Sequence, residues 1–158
     1  MPASPSATAS LTIAAPADEL YGIVTDIANM GRLSPECTGG RWLDGATGPV
    51  AGARFKGTNR RGWVRWTTTC TVMAAEPGRE FTFETPDSGA RWSYRFEPDG
   101  DGTRVTESRE MYMERPKVAA WFSRLLLGGT DAHDQEMNDG LRATLERLKA
   151  VAESADRA

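Results

Sequence analysis

Apolar positions along the chain keep two different periods, and the switches between them mark out its elements. Ser10-Leu11-Thr12-Ile13 alternates polar and apolar with a period of two, as a strand with one buried face does. Leu20, Ile23, Val24 and Ile27 then recur at helical spacing. Pro16 suits the first turn of that helix, where its missing N–H is not needed. Gly31 and Pro35 interrupt the helical spacing beyond Ile27, so the pattern predicts a short helical pair.

From about Glu36 to Met113 the period returns to two, broken by dense turn chemistry. The punctuation runs through Asp44-Gly45 and Gly48-Pro49, Asn59 to Gly62, Glu76-Pro77-Gly78, Pro86 to Gly89 and Pro98 to Gly102. The runs between these marks are rich in aromatic and β-branched residues, from Val64–Val72 to Trp92–Phe96. Short connections join antiparallel neighbours, which predicts a meander. After Pro116 the spacing becomes helical again: Val118 to Leu127 is apolar nearly all round. Met137, Leu141, Leu145 and Leu148 then form a stripe, with Asp139, Arg142, Glu146 and Lys149 opposite. Gly128-Gly129 marks either a kink or a break between these segments. The expected class is α+β: a curved antiparallel sheet of about seven strands wrapped around a long C-terminal helix, whose apolar stripe covers the open sheet face.

A chain of 158 residues is the size of one domain, with 39% hydrophobic and 26% charged residues. The expected boundaries are a flexible tail over 1–8, a domain over 9–152 and a second tail over 153–158. The formal charge of −3 argues against a general polyanion binder such as a nucleic-acid protein. No apolar run approaches the roughly 20 residues that a membrane-spanning helix needs. Met1 to Ser10 lacks the basic start and apolar centre of a secretion signal, so a cytoplasmic protein is expected, as a monomer or homodimer. Cys37 and Cys70 lack metal-pair spacing and are expected as small buried thiols.

Strand alternation sorts side chains onto faces. Trp66, Thr68, Cys70 and Val72 share one, as do Trp92, Tyr94 and Phe96, with Arg91, Ser93 and Arg95 opposite. Phe55 pairs with Gly57, and Phe81 with Phe83. Large aromatics mixed with small Thr, Cys and Gly tend to leave concave space, and a mostly apolar cleft is the usual form of a small-molecule site; a plain packed core is the alternative. The expected ligand wall takes Trp42, Phe55, Trp66, Thr68 and Cys70 from the earlier strands. Phe83, Trp92, Tyr94, Phe96 and Met111 come from the later ones, and Met137, Leu141 and Leu145 from the helix.

The element order, Pro16, Asn29 to Pro35 and Trp42-Leu43-Asp44-Gly45 resemble the polyketide cyclase/dehydrase-type branch of the START/Bet v 1-like (SRPBCC) superfamily. Gly52-Ala53-Arg54-Phe55, Asn59-Arg60-Arg61-Gly62 and Gly102-Thr103-Arg104-Val105-Thr106 extend the match over roughly residues 8–152. The resemblance implies a helix-grip fold enclosing a hydrophobic cavity. Such families include cyclases, hydrolases and lipid carriers, so the fold does not select an activity.

The candidate chemistry lies on the last strand. If Val105 points inward, so do Glu107, Arg109, Met111 and Met113. Glu107 could then take a proton from carbon beside a carbonyl while Arg109 steadies the enolate, with Tyr94 orienting the carbonyl. Desolvation should raise the Glu107 pKa, and a neighbouring guanidinium should lower it again. An ion pair at the cavity mouth is the alternative. His133, the sole histidine, sits among Asp131, Asp134 and Glu136 at helical offsets that fan apart, so no metal site is expected. Arg60, Arg61 and Arg65 beside Trp63 and Trp66 read as a solvated hairpin tip rather than a nucleic-acid patch. Three functions are expected in descending order: a binder of a small hydrophobic lipid, polyketide-like or aromatic molecule; a cyclase or dehydratase using neither metal nor organic cofactor; and an interaction module using the Val118–Leu127 helix.

Overall fold

The computed structural model describes residues 6–113, 117–126 and 130–155. The chain begins with β1 (Ala7–Ile13), α1 (Ala17–Val24) and a 3-10 turn (Ile27–Arg32). Six strands come next: β2 (Cys37–Trp42), β3 (Arg54–Arg61), β4 (Val64–Glu76), β5 (Glu80–Thr85), β6 (Ala90–Asp99) and β7 (Gly102–Met111). Two helices, α2 (Lys117–Leu126) and α3 (Thr130–Ala155), complete it. All seven strands form one antiparallel sheet in the order β1-β7-β6-β5-β4-β3-β2. The meander expected from the short turns is therefore closed by β1 returning to pair with β7.

Three boundaries differ from the sequence expectation. β1 starts at Ala7, because β7 supplies partners as far as Arg109. Pro16 stands at the N-cap, one residue before α1, with Asp18 and Glu19 in the first turn where the helix dipole favours acids. α3 runs to Ala155, beyond the expected end of the domain. The expectation for Gly128-Gly129 falls outside the described residues.

The sheet bends around α3 with the help of register shifts between Cys37 and Gly39 in β2 and between Val72 and Ala74 in β4. The 3-10 turn lies against β2 so closely that a Cβ at Gly40 would sit 2.7 Å from the Lys56 carbonyl oxygen and 2.8 Å from Ile27 Cγ2. Only glycine fits there.

The interior has two ends of different character. At one, Leu145, Leu148 and Ala152 of α3 pack with Ile13, Val105, Phe81 and Phe96 in a filled core. Tyr21 of α1 meets Phe96 and Phe81 edge-on, with ring centroids 6.0 and 6.4 Å away. At the other end, the N-terminal half of α3 leaves a hollow between itself and the sheet, bordered by Met137, Gly140 and Leu141. The outer side of α3 carries the pairs Arg142–Glu146 and Lys149–Glu153, as its stripe predicted.

This division predicts unequal costs for one chemical change on one helix face. Leu148→Ala should lose about 2–5 kcal/mol of unfolding free energy, since it opens a void in packed surroundings. Leu141→Ala removes a side chain that already borders empty space and should lose clearly less. Urea unfolding of both variants measures the difference.

Candidate functional site

The hollow is a cavity of about 570 Å³. Six strands build its sheet wall, to which β2 gives Cys37 and Gly39. On β3 and β4 it presents Phe55, Gly57, Trp66, Thr68 and Cys70. Gly57 keeps that wall low, since a Cβ there would lie 3.3 Å from Thr68 Oγ1. On β5 it presents Phe83, whose ring stands 5.1 Å from that of Phe55. On β6 and β7 it presents Trp92, Tyr94, Glu107 and Arg109.

The facing of β6 has a visible cause. Arg91 points outward, where its guanidinium donates to Glu84 at 2.6 Å and to Glu110 at 2.9 Å. Its neighbour Trp92 must then point in. Ser93, also outside, accepts a hydrogen bond from Thr82.

The polar end of the cavity is made of two cross-strand pairs. Tyr94 faces Glu107 and Trp92 faces Arg109 across the β6–β7 ladder. Glu107 is 2% exposed and Arg109 3%, an unusual depth for charged residues. Burial pushes the Glu107 carboxyl up to about 8, against a smaller lowering from the hydrogen bond that the Tyr94 hydroxyl donates to it. Glu107 Oε2 is buried without a hydrogen-bond partner among the described residues. The Tyr94 phenol is raised well above its usual range by burial and by the Glu107 charge, so it stays protonated. The expected lowering of Glu107 by a guanidinium does not govern the site. Arg109 instead lies over the Trp92 ring, its Cζ 5.6 Å from the centroid.

Four residues expected on the ligand wall lie elsewhere. Phe96 and Leu145 share the inward faces of β6 and α3, but at the filled end, where both join the core. Trp42, on edge strand β2, backs the ring of Phe55 at 5.5 Å rather than reaching the cavity. Met111 has passed the cavity and lies over the β5–β6 turn, its Cε close to Gly89. Met113, expected to point inward, is exposed. Met137 and Leu141 do border the cavity.

The structure also adds wall residues that alternation did not indicate. Ile27 and Met30 come from the 3-10 turn, Leu33 from the residue that follows it, and Thr144 from α3. Val118, Ala119 and Phe122 come from α2, with the Phe122 ring 5.7 Å from Trp66. The apolar spacing of α2 was the available signal, but it did not say which face turns inward.

Cys70 is buried, but Cys37, expected to be buried too, is half-buried. Burial raises both thiols, Cys70 to about 11, so neither is a thiolate nucleophile at neutral pH. The side chain of His133 lies outside the described residues. Among the described residues no group of three or more His, Cys, Asp and Glu side chains is placed to hold a metal. No described helix is long and apolar enough to cross a membrane. At the β3–β4 hairpin tip Arg60, Gly62, Trp63 and Arg65 are exposed, and Arg61 is held. Arg61 reaches α3 and donates twice to the Glu136 carboxylate, at 2.7 and 2.9 Å.

Residues 4–153 match the family model described as polyketide cyclase/dehydrase and lipid transport. No curated protein matches the chain. Among solved structures, it is similar to the Polyketide_cyc-like protein Cgl2372 from Corynebacterium glutamicum, at 32% identity and TM-score 0.57, covering 99% of this chain and 94% of that one. The protein TTHA0849 from Thermus thermophilus is 17% identical with TM-score 0.69, over 96% and 99% of the two chains. The di-domain ARO/CYC protein StfQ of the steffimycin biosynthetic pathway is 14% identical with TM-score 0.72, over 97% of this chain and 52% of that one. The last two likenesses speak for the fold.

Glu107 gives the site a pH signature. Its carboxyl titrates near the ordinary value of 4.5 when unfolded and near 8 when folded, so the folded state holds the extra proton between those limits. The Glu107 contribution to stability should be fully present below the lower limit and fall away as pH rises toward about 8, by up to about 1.4 kcal/mol per pH unit. Glu107→Gln should remove that fall. Urea unfolding from pH 5 to pH 9 compares the two proteins, and parallel profiles would show that the carboxyl is already ionised in the fold.

Proposed function

The chain belongs to the polyketide cyclase/dehydrase and lipid transport family, and on that premise we propose that it binds a small hydrophobic molecule in the cavity between the sheet and α3. The observation that carries this reading is the cavity itself: about 570 Å³ walled mainly by aromatic and aliphatic side chains, with Glu107, Arg109 and Tyr94 as its deeply buried polar groups and others, such as Asn59, Thr68, Glu36 and Asp87, elsewhere on the lining. Pockets of a few hundred to about 1,000 Å³ with few, convergent polar groups are the common form of small-molecule sites. Apolar contact supplies the affinity, and the polar end fixes which way round the ligand lies. Lipid, polyketide-like and aromatic compounds all meet that description.

Native mass spectrometry and solvent extraction of protein from its own host should find a bound apolar compound. The neutral dye N-phenylnaphthylamine should bind in its place. Thr68→Trp, which fills the wall beside Gly57, should weaken dye binding at least about tenfold with little change in melting temperature. Full dye affinity in that variant would locate the ligand elsewhere.

A second reading, catalysis, draws on one specific observation: a carboxyl whose pKa of about 8 lies close to a working pH. In a ring closure, ionised Glu107 takes the proton from a carbon next to a carbonyl. The enolate oxygen develops negative charge toward Arg109 and the Tyr94 hydroxyl, and the enolate carbon attacks a second carbonyl. The alkoxide so formed recovers the proton, leaving Glu107 as it began. Glu107→Gln should abolish cyclisation of a polycarbonyl substrate while keeping its binding, and wild-type turnover should rise with pH through about 8. Unchanged turnover in the variant would remove Glu107 from the reaction.

A further inference from the structure

The surface around α2 does not belong to an ordinary soluble exterior. Val118 lines the cavity and is nevertheless 78% exposed, so the cavity opens beside it. Trp121 and Leu125, one helical turn apart, are 63% and 59% exposed, while Phe122 turns the other way onto Trp66. α2 therefore carries apolar groups on both sides. Next to it, the hairpin holding Trp66 ends in Trp63, the most exposed of these large apolar side chains at 84%. Two tryptophans in water beside an opening are costly to keep unless something covers them.

The charges around these residues say what that something is. The sequence is net acidic, at −3. Yet α2 holds Lys117 and Arg124 and no acid, and residues 59–65 hold Arg60, Arg61 and Arg65 and no acid. Lys117, Arg124, Arg60 and Arg65 are exposed. Arg61 is paired with Glu136 and anchors the hairpin against α3. Two acids lie at the rim: Asp87 accepts the Thr69 backbone N–H, and Glu36 lies beside Arg61, so the exposed cations still outnumber them. Indole rings prefer the headgroup level of a bilayer, and basic side chains beside them are attracted to anionic lipid.

We infer that the α2 face and the β3–β4 hairpin tip form a peripheral docking surface for an anionic lipid bilayer, which brings the mouth of the cavity against the membrane. The apolar side chains enter the headgroup boundary, and the flanking cations meet lipid phosphates. An apolar ligand then passes between bilayer and cavity without crossing water. Docking goes beyond the cavity reading and stands or falls apart from it.

Flotation of the full chain with phosphatidylcholine vesicles, with and without phosphatidylglycerol, tests the inference. The protein should float with the anionic vesicles, remain behind with phosphatidylcholine alone, and be released as salt is raised. Lys117→Glu with Arg124→Glu, and separately Trp63→Ser with Trp121→Ser, should each cut vesicle binding at least tenfold. None of these residues touches the cavity, so both variants should bind N-phenylnaphthylamine as the wild type does. Absence of flotation with dye binding intact overturns the docking surface and leaves the cavity reading standing. Absence of dye binding with flotation intact does the reverse. If the wild type instead elutes as a dimer that the tryptophan variant dissociates, the face is a self-association surface and the inference is overturned.

Discussion

Everything in this molecule depends on α3 touching the sheet along only part of its length. Leu145, Leu148 and Ala152 are fully buried against Phe81, Val105 and Phe96, with the Tyr21 ring set edge-on between strands and α1. That end carries the apolar burial that holds helix and sheet together, at about 25 cal/mol for each Å² removed from water. Because it is filled, the other end need not be. The hollow beside Met137 and Leu141 is tolerated because the clamp lies elsewhere. A helix packed evenly along the sheet would leave no site, and one packed nowhere would leave no fold.

The same division explains how a carboxyl and a guanidinium come to be deeply buried. β7 crosses from the filled end at Val105 to the hollow end at Glu107 and Arg109 without changing face. At the filled end an ionised side chain would displace packing. At the hollow end it meets space and a π-face, and Trp92 lies under the Arg109 guanidinium. Desolvation is therefore the larger influence on Glu107, and the Tyr94 hydroxyl offsets only part of it. The carboxyl is poised between its two charge states by burial, not by an ion partner on its own strand.

Most of the fold was legible in the sequence because period and punctuation act locally. Alternation placed Trp92, Tyr94, Glu107 and Arg109 on the inner face, and all four are on the cavity wall. Alternation cannot say how far along the strand the helix parts from the sheet. Phe96 and Leu145 have the same facing as Tyr94 and Leu141, yet they fall on the filled side of that boundary. Trp42 and Met111 fail for a related reason, since both sit at strand ends beyond the cavity, although β2 lines it with Cys37 and Gly39. The contributions of Ile27, Met30 and Phe122 needed the docking of separate elements, which no single strand's pattern contains.

The remaining tension concerns α2. A helix with apolar groups on both sides is ordinarily buried, yet among the described side chains of α2, Phe122 meets Trp66 of the sheet while Trp121 and Leu125 face outward. A cavity for apolar ligands must open somewhere, and the rim of any opening exposes the apolar groups that line it. That accounts for Val118, which belongs to the lining. It does not account for Trp121, Leu125 or Trp63, which point away from it. Their exposure lowers solubility and adds nothing to the core, so an explanation must lie outside the folded chain. Cations outnumber acids there: Arg60, Arg65, Lys117 and Arg124 are exposed, against Glu136 paired with Arg61 and Glu36 beside it, which favours a negatively charged apolar surface as the partner. An anionic bilayer has both properties at once.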